Sequence, residues 1–177
     1  LSYQFHAISH NATQWQCFVD PQREGIKRAR LKACLRAVIE RGMKQGKIDK
    51  WPTEVILAGH WTLVDLTSFC DFDKFKNQFD AVRQTLVSIK KPTWWHFEDS
   101  DYTKHKVRIV LRDSKILAPA KMRSLDALGK LLGVEKIKIP PDHSIKRMDM
   151  FKRDCPAEFR AYALRDAQIT ALYIKKV

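Results

Sequence analysis

Glu54-Val55-Ile56-Leu57-Ala58-Gly59 is a six-residue apolar run between turn signals, with Pro52 ahead of it and Gly59 at its end. A run this short reads as a buried strand rather than a helix. Val107-Arg108-Ile109-Val110-Leu111 is a second strand. Leu1-Ser2-Tyr3-Gln4-Phe5 alternates and reads as a third, with Trp15 to Val19 as its hairpin partner. Between these segments the period changes. From Glu24 to Lys44 the apolar residues Leu31, Cys34, Leu35, Val38 and Ile39 recur at helical spacing, and Lys27, Arg28, Lys32, Arg36 and Arg41 occupy the other face. A second helix is expected after Asp65, with Phe72, Phe75, Phe79, Val82 and Leu86 as its core stripe. Lys90 to Lys104 reads as a polar and aromatic loop or insertion. Ser124 caps a helix whose face is Leu125, Leu128, Leu131 and Leu132, and Gly133 ends it. Pro140-Pro141 forces a loop, and Pro156 suits the first turn of a last helix running to about Lys176. Strands alternating with helices predict an α/β fold.

The charge balance narrows the partner. Lys and Arg outnumber Asp and Glu by 33 to 20, giving a net charge of +13 and a pI near 9.7. A polyanion is favoured, because each neutralised phosphate releases counterions. Nucleic acid is the first candidate and an anionic membrane surface the second. No apolar run reaches the length of a membrane span, and Ser2, Gln4 and His6 interrupt the opening stretch where a signal peptide would be apolar. Cys17, Cys34, Cys70 and Cys155 form no C-x-x-C pair, which argues against a zinc ribbon or a disulfide framework and fits a reducing, cytoplasmic setting. The histidines are scattered. No G-x-G-x-x-G or G-x-x-x-x-G-K-[ST] occurs, which argues against dinucleotide and P-loop chemistry.

Two carboxylates carry chemical interest. Tyr162 and Asp166 are four apart and share a helix face with Ile169 and Tyr173. A carboxylate in an apolar stripe needs a reason, since burying it unpaired is costly. A salt bridge, an N–H partner, partial exposure or a metal ion would each serve. Asp65 lies just past the carboxyl end of the 54–59 strand, where α/β sheets bind ligands. An aspartate capping the next helix would sit there too.

Tyr162-Ala163-Leu164-Arg165-Asp166 matches the Y-x-x-x-D of the third exonuclease motif of family B DNA polymerases. Ala58-Gly59-His60-Trp61-Thr62-Leu63-Val64-Asp65 sits where the second motif belongs. Leu111 to Pro119 and Ser124-Leu125-Asp126-Ala127-Leu128-Gly129 look like the strand and helix between them. From about Val55 to Tyr173 the chain thus resembles the 3′–5′ proofreading domain of that family, its viral, organellar and mobile-element branch especially.

The resemblance implies a ribonuclease-H-like fold with a mixed central sheet flanked by helices. It implies one domain over residues 1–177, N-terminally incomplete, within a longer polymerase. Asp65 and Asp166 would be ligands of a two-metal Mg²⁺ or Mn²⁺ site, and Tyr162 would position the attacking water. His60, Trp61, Lys115 and Lys121 become candidate nucleic-acid contacts, and Trp94 and Trp95 further stacking platforms. The partner would be a single-stranded DNA 3′ end or primer-template DNA, with a polymerase domain in the same polypeptide. The chain departs from the pattern in three places. No D-x-E precedes Asp65, so that strand would lie before residue 1. His60 and Val64 stand where an asparagine and an aromatic are usual. Asp126 and Ala127 fall where some members carry a catalytic lysine, with Lys115 and Lys121 nearby. Asp113 adds a third carboxylate only if its strand faces the cleft. The alternative function is a degenerate exonuclease-like module that binds single-stranded nucleic acid without cutting it.

Overall fold

The computed structural model describes residues 1–20 and 27–177. The chain opens with an antiparallel hairpin of β1 (Tyr3–Ile8) and β2 (Gln14–Val19), in the register Tyr3↔Val19. Trp15 from β2 is buried and donates its indole N–H to Val38 O at 2.9 Å, fastening the hairpin to the first helix. That helix, α1, spans Leu31–Lys44, not Glu24 to Lys44. Residues 24–26 of the expected helix lie outside the described residues, and residues 27–30 are not helical. The helix starts where a distant residue can cap it: Leu31 N–H donates to Asp71 Oδ1 at 2.9 Å. All five expected apolar positions, from Leu31 to Ile39, are buried.

The main sheet has three strands in the order β3-β7-β6. β3 (Glu54–Gly59) runs parallel to β7 (Lys104–Asp113), and β6 (Thr93–Glu98) runs antiparallel to it. The central β7 buries Val107, Ile109, Val110 and Leu111. β3 lies at the edge, and Ile56 is 54% exposed, so the expected fully buried strand is half-buried. β6 occupies the stretch expected to be a loop. Thr93, Trp95 and Phe97 alternate inward with Trp94, His96 and Glu98 outward, a period of two that suits a half-buried strand.

The expected long helix after Asp65 does not form. Instead α2 (Thr62–Thr67) and α3 (Phe72–Phe75) lead through a 3₁₀ turn, Lys76–Gln78, to a short hairpin of β4 (Asp80–Val82) and β5 (Thr85–Val87). Phe75, Phe79 and Leu86 are core residues as expected, but a two-residue turn at Arg83 and Gln84, both left-handed, reverses the chain. α4 (Ser114–Leu117) comes after β7, then α5 (Leu125–Leu132), a 3₁₀ turn at Ile145–Arg147, α6 (Met148–Asp154) and α7 (Pro156–Lys176). The α5 signals hold: Ser124 Oγ accepts from Ala127 N–H, and Gly133 takes a left-handed φ of 68°. Leu131 is nevertheless exposed. α7 lies against the β1–β2 hairpin, β3, α5 and α6. The result is a mixed α/β arrangement with a mixed sheet flanked by helices. The four cysteines are free, and no described helix is long and apolar enough to cross a membrane.

Candidate functional site

β3 and β7 are parallel and in register at Gly59↔Asp113, so their carboxyl ends open together. The path of the chain beyond β3 is set by Asp113. This residue is fully buried, and its carboxylate gathers five donors. Oδ2 accepts from Trp61 N at 3.1 Å, Thr62 N at 2.6 Å and the Thr85 hydroxyl. Oδ1 accepts from Lys115 N at 2.8 Å and Ile116 N at 3.2 Å. One carboxylate thereby ties the entry to α2, the strand β5 and the start of α4. With its oxygens so engaged, Asp113 is a structural anchor and not a third open ligand.

Asp65 sits inside α2, not at its cap; the capping position belongs to Trp61, at a left-handed φ of 83°. The residue is exposed overall, yet Oδ2 turns back toward Gly59. A Cβ added at Gly59 would lie 2.9 Å from that oxygen and 2.7 Å from Thr62 Cγ2, so only glycine leaves it room. Burial of the carboxyl pushes Asp65 up to about 6, the Asp113 charge adds to this, and a backbone hydrogen bond from His60 opposes it. His60 shares a hydrogen bond of 2.8 Å with Ser114 Oγ. Burial lowers its pKa; the Asp113 charge opposes that, and the Lys115 and Lys136 charges reinforce it.

The second group lies on α7. Tyr162 is buried, and Asp166 is 25% exposed at its side chain. Lys136, from the segment after α5, reaches both: its Nζ is 3.3 Å from Asp166 Oδ2 and 5.3 Å from the centre of the Tyr162 ring. The other carboxyl oxygen, Asp166 Oδ1, is buried and has no hydrogen-bond partner. Burial raises the pKa of Asp166, with Lys136 and the Tyr162 hydroxyl pulling it back down. Burial likewise raises Tyr162, and the Asp166 charge adds to that.

Of the other sequence candidates, Trp61 is 40% exposed with Lys115 Nζ 4.1 Å from its ring centre. Lys121 is exposed in the segment between α4 and α5. Trp95 is buried in the core and donates to Gln78 Oε1, so it offers no stacking face. Trp94 is exposed, with Lys106 over its ring. Lys136 escaped the sequence reading, because a lysine between charged and apolar neighbours in Glu135-Lys136-Ile137-Lys138 looks like solvated surface. Among the described residues, no cluster of three or more His, Cys, Asp or Glu is arranged to hold a metal.

Fold and site together define a basic mixed α/β protein with carboxylates near the open end of its sheet. Its sequence is polymerase-related: it is 28% identical, over 194 aligned positions, to the primer-independent DNA polymerase PolB of Escherichia coli. The match takes 100% of this chain and 22% of that protein, so the chain spans about a fifth of the length of the curated relative it matches. No protein-family model matches the chain, and no solved structure matches it.

Proposed function

We propose that this chain is the 3′–5′ exonuclease domain of a longer, family B-like DNA polymerase, with a ribonuclease-H-like fold. The observation that carries this reading is Asp166 Oδ1, a buried acceptor with no partner, one helical turn from Tyr162. Native proteins rarely leave such an atom unpaired, and a bound ion is one of the standard reasons. That oxygen fits a divalent cation, and Asp65 and Asp166 would supply ligands to Mg²⁺ or Mn²⁺. When bound, such ions lower the pKa of a water and stabilise the leaving 3′ oxygen. Two carboxylates are fewer than two dications need, and Asp113 is committed elsewhere, so the remaining ligands would come from beyond those described.

The chain's own residues have separable tasks. The Tyr162 hydroxyl, beside Asp166, orients a water at the scissile phosphate. Lys136 holds the Asp166 carboxylate in place and offsets its charge. The basic surface holds a single-stranded DNA 3′ end or primer-template DNA through its phosphates, with little regard for sequence. In the full-length protein, Asp166→Ala should abolish 3′–5′ degradation, and Tyr162→Phe should lose part of the rate while keeping metal binding. A full-length Asp166→Ala enzyme that still degrades single-stranded DNA at the wild-type rate would sink the assignment.

A second reading has its own support. Lys136 already occupies one side of Asp166 at 3.3 Å, and no three-ligand cluster is present among the described residues. Both suit a catalytically degenerate module that binds single-stranded nucleic acid. The two readings part on one measurement, degradation by the full-length wild type in Mn²⁺.

A further inference from the structure

Around the carboxyl end of β7 lies an open pocket walled by Trp61, Arg83, Gln84, Thr85, Lys115 and Arg123. Three of these are cations, and no acidic side chain lines it. Among the described residues, none of the three cations pairs with a carboxylate. Unpaired cations converging on one concavity repel each other, so the arrangement is suited to an anion. Lys115 rests over the Trp61 ring at 4.1 Å, and the Trp61 indole N–H donates to Gln84 O at 3.1 Å. The aromatic wall is therefore held at both ends.

The backbone is also specialised here. Trp61, Arg83 and Gln84 take left-handed φ values of 83°, 46° and 62°. At Arg83 and Gln84 these belong to the two-residue turn of the β4–β5 hairpin, which fixes where both side chains start. The walls come from four stretches, and the buried Asp113 carboxylate binds three of them through Trp61 N, Thr62 N, Thr85 Oγ1, Lys115 N and Ile116 N; Arg123 stands on the fourth, between α4 and α5. Three of the four walls are thus fixed to one another without a ligand.

We propose that this pocket is a phosphate subsite for a single DNA strand, in which Arg83, Lys115 and Arg123 grip one internucleotide phosphate beside the Trp61 indole. Arginine forks match phosphate oxygens in pairs, and a phosphate carries no base identity, so the site would hold a strand without reading it. The proposal deepens the nuclease reading and rests on it, since it names the residues that would hold the strand such a nuclease acts on.

The test is binding of a fluorescently labelled 16-nucleotide oligothymidylate, by anisotropy, in EDTA and at several salt concentrations. The wild type is compared with Arg83→Gln/Arg123→Gln and with Lys90→Gln/Lys91→Gln, which removes equal charge from a second basic hollow. Arg123→Gln alone guards against damage to the β4–β5 turn, because Arg123 is exposed and outside it. The pocket double variant should bind about ten-fold more weakly or worse at low salt, and its slope of log Kd against log salt should fall by about 0.7, one phosphate's worth for a single strand. The control pair should change affinity less than about three-fold. Arg123→Gln should fall between. Equal losses in the two double variants would overturn the subsite, since net charge alone would explain them. No binding by the wild type at low salt would overturn the nucleic-acid reading itself, a separate result. Deoxythymidine monophosphate is titrated in parallel. If the pocket variants lose that nucleotide but keep the oligonucleotide, the pocket serves a free nucleotide and the strand assignment fails.

Discussion

Asp113→Asn is the sharpest perturbation of this fold. The change is nearly isosteric, so it leaves packing almost untouched and acts through hydrogen bonding. Each carboxylate oxygen accepts from at least two donors: Oδ1 from Lys115 N and Ile116 N, Oδ2 from Trp61 N, Thr62 N and the Thr85 hydroxyl. An asparagine must turn its NH₂ toward one of these sets, where donor meets donor. The less damaging choice still loses two bonds to a charged acceptor. At about 1.5–3 kcal/mol each, the expected loss is roughly 3–6 kcal/mol. Set against a typical domain stability of about 5–15 kcal/mol, that is a large fraction. For a chain of this length it corresponds to a fall in melting temperature of roughly 6–24 °C. Urea unfolding followed by circular dichroism measures it directly. Because the same bonds join the walls of the phosphate pocket, oligonucleotide affinity should fall as well at temperatures where the variant is folded. A melting temperature within about 2 °C of wild type would refute the reasoning, since the buried carboxylate would then not be the joint between these elements.

Gly59→Ala should cost about 1–3 kcal/mol, as the new Cβ meets Thr62 Cγ2 at 2.7 Å and Asp65 Oδ2 at 2.9 Å; unfolding by urea reads the cost, and wild-type stability would mean the Asp65 carboxyl does not lie against the strand end. Carbon-13 NMR of the aspartate carboxyls should show Asp65 titrating near pH 6, not near its ordinary 3.8. The sign comes from tighter proton binding in the folded state: the Asp65 contribution to stability is present below 3.8 and is lost as pH rises through about 6. Asp65→Asn should therefore be neutral or mildly stabilising at pH 8. Titration of residues 1–177 with Mn²⁺ should give a Kd of about 10⁻⁴ M or weaker and little 3′-end digestion, because two carboxylates poorly replace a dication's waters; two tight sites with brisk digestion would show that the metal ligands lie elsewhere in the chain.

Much of the architecture is written in local pattern. The β1–β2 hairpin, the apolar face of α1, the strands β3 and β7, the Ser124 cap, the Gly133 stop and the Pro156 start all arise from residue period and cap chemistry over a few residues. So does the placing of Tyr162 and Asp166 on one helix face. The failures share a cause. Phe72, Phe75, Phe79, Val82 and Leu86 are spaced for a helix, but the spacing also suits residues that converge on one core from separate short elements, and the left-handed turn at Arg83 and Gln84 carries no glycine to announce it. Trp94 and Trp95 differ only in strand parity, so which one is buried depended on the register of β6 against β7.

Charge and motif order in the sequence were enough to single out a basic chain with aspartates at 65 and 166 as the residues of interest. What those aspartates face was decided only by tertiary structure. Asp113 became a five-bond anchor because β5 and the entry to α2 fold over the end of β7. Asp166 met Lys136, thirty positions away, and kept one oxygen unpaired. Arg83 joined Lys115 and Arg123, 32 and 40 positions further along the chain, in one pocket. Local pattern reports on neighbours within a turn of helix or a pair of strands, whereas the electrostatics of a site depend on through-space distance, and that distance exists only once the chain has folded.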